Sequence, residues 1–219
     1  MAFPAEPARD TALRRDVAIE PAATALLLVD VQNLEISPAT RREHPAFVAD
    51  LQARVVPNIA RLVAACRRAG VEVIYTVVES LTRDGRDRSL DHKLSGIFVP
   101  KGAWEGKVID AVAPQDDDIV LPKTSSGVFN STNIDYVLRN LGVRHLIVVG
   151  LLTDQCVDMA LRDGADRGYY TICIPECCST YTAERHTNAL HAFGGYCRTV
   201  ALDAMLAEIA AAAPELRRG

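Results

Sequence analysis

Several features that define other classes of protein are missing from the 219 residues of this chain. No segment approaches the roughly 18 consecutive apolar residues that a membrane span needs. Residues 1–20 mix acidic and basic side chains without an apolar core, so they do not form a secretory signal. No C-x-x-C pair occurs among the six cysteines, which argues against structural zinc. These absences predict a cytoplasmic protein without a membrane partner, in which the extra thiols serve packing.

Composition and charge restrict the class further. The chain is 49% hydrophobic and 24% charged, as is usual for a soluble globular protein. Its net charge of −4 argues against nucleic acid as a partner. There is no internal repeat and no obvious linker. We therefore predict an N-terminal extension over 1–20, one domain over 21–213 and a C-terminal tail over 214–219.

Strand-like and helix-like segments alternate along the chain. Six apolar runs predict strands at Ala25–Asp30, Val71–Val78, Asp118–Leu121, His145–Gly150, Tyr170–Ile174 and Arg198–Ala201. Helical patterns occur at Ala46–Ala69, Trp104–Val112, Asn133–Leu141, Asp154–Arg167, Ala183–Phe193 and Leu202–Ala213. The alternation predicts an α/β fold, a single-domain doubly wound (Rossmann-like) sheet of about six parallel strands with helices on both faces. The longest irregular stretch, Glu79–Lys101, is a solvated turn, a lid or part of an interface.

Three of these strand ends carry ionisable side chains. Asp30 ends the first predicted strand, and Lys123 and Cys156 come after the third and the fourth. Because side chains just past the carboxyl ends of strands converge on one crevice in an open α/β sheet, we expect these three to meet. Asp30 can accept the thiol proton, and Lys123 can hold both anions by its charge.

Cys156 is the candidate nucleophile of this set. It lies where a buried strand gives way to a helix, and either Thr153 or Asp154 can cap that helix. The unpaired N–H groups and the helix dipole would then face the sulfur and favour the thiolate.

The segments LLLVDVQN, LPKTSSGVF and VVGLLTDQCVDMALRDGADRGY, which carry Asp30, Lys123 and Cys156, resemble the signature segments of the isochorismatase-like cysteine hydrolases. The resemblance covers roughly Thr24 to Leu206 and is nearest to the amidohydrolase branch that acts on ureidoacrylate, biuret and N-carbamoylsarcosine. It implies an Asp30–Lys123–Cys156 catalytic triad and a cis peptide bond at Leu151–Leu152. It also implies an oxyanion hole formed by the N–H groups of Leu152 and Cys156.

The resemblance also bears on cofactors and on the substrate pocket. The nicotinamidases of this superfamily carry an Asp-x-His metal segment, which this chain lacks, so we expect no catalytic metal and no other cofactor. His92 stands alone in the Glu79–Lys101 stretch and is expected at the surface. The candidate substrate-binding residues are Gln32, Glu79, Ser126, Phe129, Asn130 and Gln155, with Phe129 as the aromatic wall.

The sequence therefore predicts an amidohydrolase that cleaves a C–N bond of a small amide, ureido or carbamoyl compound through a Cys156 thioester. Two alternatives stay open, an isochorismatase-type vinyl-ether hydrolase and a non-catalytic flavodoxin-like binding module. The absence of a Gly-rich phosphate loop after the first strand argues against nucleotide binding by such a module. The family resemblance and the Ala-rich final helix predict a homodimer or homotetramer.

Overall fold

A computed structural model describes residues 14–213, so most of the predicted N-terminal extension and the whole tail over 214–219 lie outside the described residues. Within them, six parallel strands form one sheet in the order β3-β2-β1-β4-β5-β6. The strands are β1 Thr24–Val29, β2 Glu72–Val78, β3 Ile119–Lys123, β4 His145–Leu151, β5 Tyr170–Ser179 and β6 Arg198–Thr199. The predicted α/β fold with six parallel strands is confirmed.

The helices lie on both faces of the sheet. They are α1 Pro38–Glu43, α2 Pro45–Asp50, α3 Val56–Ala69, α4 Leu90–Leu94, α5 Val128–Ser131, α6 Ile134–Asn140, α7 Asp158–Asp166, α8 Ala183–Phe193 and α9 Leu202–Ala212. From β1 to β2 the chain moves toward one edge of the sheet, and from β4 to β5 it moves toward the opposite edge. Right-handed crossovers therefore place α3 and α7 on opposite faces. α9 packs beside α3, and α8 packs beside α7. Among residues 14–213 no helix is long and apolar enough to cross a membrane.

The two central strands are buried along their whole length. Every residue of β1 and β4 is buried, as expected for strands that are covered on both faces. Their close approach requires Gly150, whose φ is +122°. A Cβ at this position would lie 2.1 Å from the carbonyl oxygen of Val29. Glycine therefore lets the end of β4 run against the end of β1, where the strand order reverses.

One predicted helix is wrong and another is interrupted. Trp104–Val112 forms only two short 3₁₀ turns, because this segment pairs with the chain after β1: the N–H of Asn33 donates to the carbonyl of Lys107. The predicted helix Ala46–Ala69 contains a π-helical turn at Leu51–Val55. Pro57, two residues past that turn, has no N–H to donate to the carbonyl of Ala53, which accounts for the widening.

The stretch Glu79–Lys101 packs over the carboxyl end of β3. The N–H of Ser89 donates to the carbonyl of Thr124, and the N–H of Ser80 donates to that of Val99. His92, on α4 within this stretch, is buried rather than at the surface, so its predicted location is wrong. The stretch therefore covers the edge of the sheet at which the ionisable strand ends lie.

Candidate active site

Asp30 and Lys123 form an ion pair inside the protein. Lys123 is the last residue of β3, and Asp30 follows β1 with a left-handed φ of +54°. The Nζ of Lys123 lies 2.8 Å from Oδ2 of Asp30, and the lysine side chain is 0% exposed. The other carboxylate oxygen, Oδ1, accepts a hydrogen bond of 2.9 Å from the hydroxyl of Thr76 on β2. Two neighbouring strands therefore hold the carboxylate in one orientation.

The structure brings Cys156 to the same pair. Its Sγ lies 3.4 Å from the Nζ of Lys123, which also donates 3.0 Å to the carbonyl of Ser125. Cys156 is 9% exposed, whereas the other five cysteines are between 0% and 4% exposed. Cys156 is thus the most exposed cysteine of the chain, and its sulfur is within reach of a buried ammonium group.

Burial and the charges at the site correct the prediction that the Cys156 sulfur is a thiolate. Burial raises the pKa of the Cys156 thiol to about 12; the Asp30 carboxylate adds to the rise, and the Lys123 charge opposes it. Burial alone would lower the pKa of Lys123, but the Asp30 carboxylate, together with the Cys156 sulfur, raises it above its ordinary value. Without substrate the sulfur is therefore a thiol next to a carboxylate, not the thiolate that the helix position suggested. A nucleophile forms here only if Asp30 takes the proton.

The turn that carries Cys156 is a π-helical turn, Thr153–Val157, which leads into α7. Neither Thr153 nor Asp154 caps the helix, contrary to the prediction. The Thr153 hydroxyl lies 2.9 Å from Nδ1 of His186 on α8. Asp154 accepts hydrogen bonds of 2.6 Å from Thr180 and from Arg185. Both side chains therefore hold the turn against α8, and Asp154 also holds it against Thr180, the residue after β5.

The peptide bond Leu151–Leu152 is cis, as the resemblance implies. The carbonyl of Leu152 accepts hydrogen bonds from the N–H groups of Gln155 and Val157. The N–H of Leu152 donates to no backbone carbonyl within residues 14–213. This N–H group is therefore available to a ligand at the turn, as the predicted oxyanion role requires.

Two predicted pocket residues have structural positions instead. Gln32 is fully buried; its Nε2 donates to the carbonyls of Val78 and Glu105, and its Oε1 accepts from the N–H of Val78. Phe129 is buried and its ring stacks on that of Tyr169, because α5 directs this side chain toward α7. Gln32 thus connects backbone segments, and Phe129 belongs to the core rather than to an aromatic wall.

The other four are at least partly exposed. Glu79 follows β2 and accepts a hydrogen bond from the N–H of Gly102, so it braces the covering stretch. Asn130 is exposed on α5. Ser126 and Gln155 line a cleft of about 500 Å³ that runs along the Cys156 turn. Of the predicted set, these two therefore face an open space that residues on either side of Cys156 in the chain also line, although Cys156 itself does not line it.

The same cleft contains residues that sequence reasoning did not select. Its wall includes Tyr181, just after β5, together with Asp91, Asp154 and Asp158. Tyr181 stacks on His44 with a ring separation of 3.8 Å and thereby supplies the aromatic surface that Phe129 does not. Its sequence neighbourhood carries no motif that marks it, because the position depends on how far β5 extends.

One further titratable side chain near the triad, Glu35, was missed, and His92 was expected at the surface. Burial raises the pKa of Glu35 to about 8; the Asp30 charge adds to this rise, and the Lys123 charge opposes it. Burial and the charge of Lys123 lower the pKa of His92, which keeps its ring neutral. Within residues 14–213 no group of three or more His, Cys, Asp or Glu is placed to hold a metal ion.

Fold and site together define a doubly wound α/β protein with an Asp–Lys–Cys cluster at the carboxyl edge of its sheet. The family model described as "Isochorismatase domain" matches residues 24–204, so the chain belongs to the isochorismatase family. It is therefore an isochorismatase-like hydrolase, and the predicted resemblance is confirmed.

Individual relatives agree with this family. Ureidoacrylate amidohydrolase RutB of Serratia proteamaculans (strain 568) is 32% identical over 176 residues, 73% of this chain and 71% of that protein. A cysteine hydrolase structure from Pseudomonas syringae pv. phaseolicola 1448A superposes with a TM-score of 0.80 at 26% identity, covering 90% of this chain and 96% of that one. N-carbamoylsarcosine amidase from Thermoplasma acidophilum shares the fold, with a TM-score of 0.68 at 24% identity and coverage of 82% and 96%.

Proposed function

We propose that this chain is a cysteine-dependent amidohydrolase, which cleaves a non-peptide C–N bond of a small linear amide, ureido or carbamoyl compound. The observation that carries the proposal is the contact of one buried ammonium group with both partners, 2.8 Å to the Asp30 carboxylate and 3.4 Å to the Cys156 sulfur. Relatives named as amidohydrolase and amidase support the bond type.

The first half of the reaction forms a thioester. Asp30 takes the proton from the thiol, and the Cys156 sulfur attacks the substrate carbonyl carbon. The carbonyl oxygen becomes an oxyanion, stabilised by the N–H groups of Leu152 and Cys156; such donors typically contribute about 3–4 kcal/mol. Asp30 then returns the proton to the departing nitrogen, the C–N bond breaks, and ammonia or an amine leaves.

The second half regenerates the thiol. A water molecule loses its proton to Asp30 and attacks the thioester carbonyl, and the C–S bond then breaks as the sulfur regains that proton. Lys123 stays protonated throughout, because its raised pKa keeps the ammonium charged beside the changing charges of Asp30 and Cys156. No bound group other than these side chains and water enters the steps.

A substrate screen tests the proposal. Purified protein is incubated with ureido acids, biuret-like compounds, carbamoyl amino acids and carboxamides, and released ammonia is measured. We expect turnover of at least one class, and loss of that turnover in Cys156→Ala, since the nucleophile is gone while the fold persists. If Cys156→Ala keeps the rate of the unchanged protein, the thioester route is wrong. If no class reacts and an isochorismate-type vinyl ether does, the alternative hydrolase is correct.

We further propose that the enzyme acts in the cytoplasm as a homodimer or homotetramer. All six cysteines are free thiols, as is usual in a reducing compartment. Leu81, Leu90 and Leu94, in the stretch that covers the site, are 55%, 71% and 78% exposed, and a second copy could cover them. Light scattering of the full chain tests the assembly, and a monomer at micromolar concentration contradicts it.

A further inference from the structure

The π-helical turn after β4 is tied to α8 by two side-chain contacts. The hydroxyl of Thr153 lies 2.9 Å from Nδ1 of His186. The carboxylate of Asp154 accepts a hydrogen bond of 2.6 Å from Arg185. Thr153 and Asp154 are the first two residues of the turn and directly follow Leu152. The contacts with α8 therefore act where the chain leaves Leu152, whose N–H group is a proposed oxyanion donor.

The first turn of α8, which carries both contact side chains, is itself held in place. Thr182 caps this helix: its hydroxyl accepts a hydrogen bond of 3.1 Å from the N–H of Arg185. Its carbonyl accepts another of 3.1 Å from the N–H of His186. Tyr181, the residue before this cap, lines the cleft that runs along the catalytic turn. A capped helix end positions side chains more precisely than a loop does, so it is a firm support for the turn.

The contact between His186 and Thr153 is the more sheltered of the two. Thr153 is 0% exposed, and within residues 14–213 its hydroxyl makes no other hydrogen bond. Water therefore cannot replace the imidazole if that partner is lost. The Arg185–Asp154 pair is partly exposed, with side chains at 38% and 21%, and Asp154 also accepts a hydrogen bond from Thr180. The position of the turn thus depends most on the His186 contact.

We propose that His186 is a positioning residue for the oxyanion hole, and that its contact with Thr153 keeps the N–H groups of the turn aimed at one substrate oxygen. This inference rests on the proposed function, in which those groups belong to Leu152 and Cys156. His186 does not line the cleft beside the turn; it lines another cavity, of about 580 Å³. Because the oxyanion exists only after the sulfur or water attacks, misaligned donors slow the reaction without weakening substrate binding.

Separate measurement of kcat and KM on a substrate found in the screen tests this role. His186→Ala should lower kcat at least about tenfold, short of the roughly 100- to 1000-fold cost of losing a whole oxyanion donor, and leave KM within about twofold. Burial and the charge of Arg54 lower the pKa of His186, so its ring is neutral at pH 7. His186→Asn keeps a neutral hydrogen-bonding group near the Nδ1 position and should restore kcat to within about threefold. His191→Ala is the matched control, since His191 is exposed in the last turn of the same helix, and it should change neither constant.

A double-variant cycle tests the contact itself. Thr153→Val removes the hydroxyl and should lower kcat as His186→Ala does, and the double variant should be no slower than the slower single one, because both changes remove the same contact. If His186→Ala does not fold, Thr153→Val alone carries the prediction of a lowered kcat at unchanged KM. Variants with native-like circular dichroism and unchanged kcat overturn the assignment, as do two single effects that multiply in the double variant. Absence of Cys156-dependent turnover on any substrate refutes the proposed function instead.

Discussion

Replacing Lys123 by methionine tests the buried ion pair on which the site depends. The substitution keeps a long apolar stem but removes the charge that lies 2.8 Å from the Asp30 carboxylate. Asp30 would remain buried, with the Thr76 hydroxyl as its remaining hydrogen-bond donor. Breaking a buried pair by removing one partner costs about 3–5 kcal/mol, because a charge is left without compensation. We expect Lys123→Met to lose that much free energy of unfolding at pH 7.

Urea unfolding followed by far-ultraviolet circular dichroism measures the loss. Arg61→Met is the matched control, since Arg61 pairs with Asp203 at 2.7 Å but both side chains are more than half exposed. Such surface pairs contribute about 0–1 kcal/mol. The double variant Lys123→Met/Asp30→Asn removes both charges and should recover much of the stability.

Two results would refute this reasoning. One is a loss below about 1 kcal/mol for Lys123→Met, which would mean that the pair behaves like a surface pair. The other is a double variant as unstable as the single one, which would mean that lost packing of the lysine stem, not lost charge, causes the fall in the free energy of unfolding.

Three other predictions concern the thiol, the core and the pH profile. One equivalent of iodoacetamide should label Cys156 first, because the other five cysteines are at most 4% exposed; peptide mapping checks this, and preferential labelling elsewhere contradicts it. Phe129→Ala should cost about 3–5 kcal/mol in urea unfolding yet leave KM within about twofold, because the ring packs on Tyr169 rather than in the cleft. The value of kcat/KM should rise as pH rises through about 8, since Glu35 then gains a negative charge that repels the Asp30 carboxylate and favours its taking the thiol proton. Glu35→Gln should lack this alkaline increase, and a pH profile that is the same in the two proteins would contradict the assignment of this titration to Glu35.

The sheet and its reacting edge could be predicted from sequence because both depend on local patterns. Continuous apolar runs define fully buried parallel strands, and their order along the chain places their carboxyl ends at one edge. Lys123 ends β3, Asp30 follows β1 and Cys156 lies in the turn after β4, so their meeting at this edge follows from the strand positions. The requirement for Gly150 depends on the approach of β4 to β1, a feature that the sequence shows only as a glycine before the turn.

The pocket could not be predicted equally well, because it depends on long-range contacts. Gln32 has the residue type of a ligand-binding side chain, but three backbone contacts to distant segments use its hydrogen-bonding groups. Tyr181 reaches the cleft because β5 continues past Pro175 to Ser179, with a register shift against β4. The protonated thiol reflects burial, which outweighs the helix position, and only the packed structure shows how deeply the sulfur is buried.

The most direct test of the account is the covalent intermediate on Cys156. Turnover of a substrate found in the screen is quenched with acid on the millisecond scale, and the intact protein and its peptides are weighed. The account predicts a mass increase equal to the acyl part of the substrate on the peptide that contains Cys156, absent in Cys156→Ala. Steady turnover with no adduct at any quench time, or an adduct on another cysteine, would contradict it.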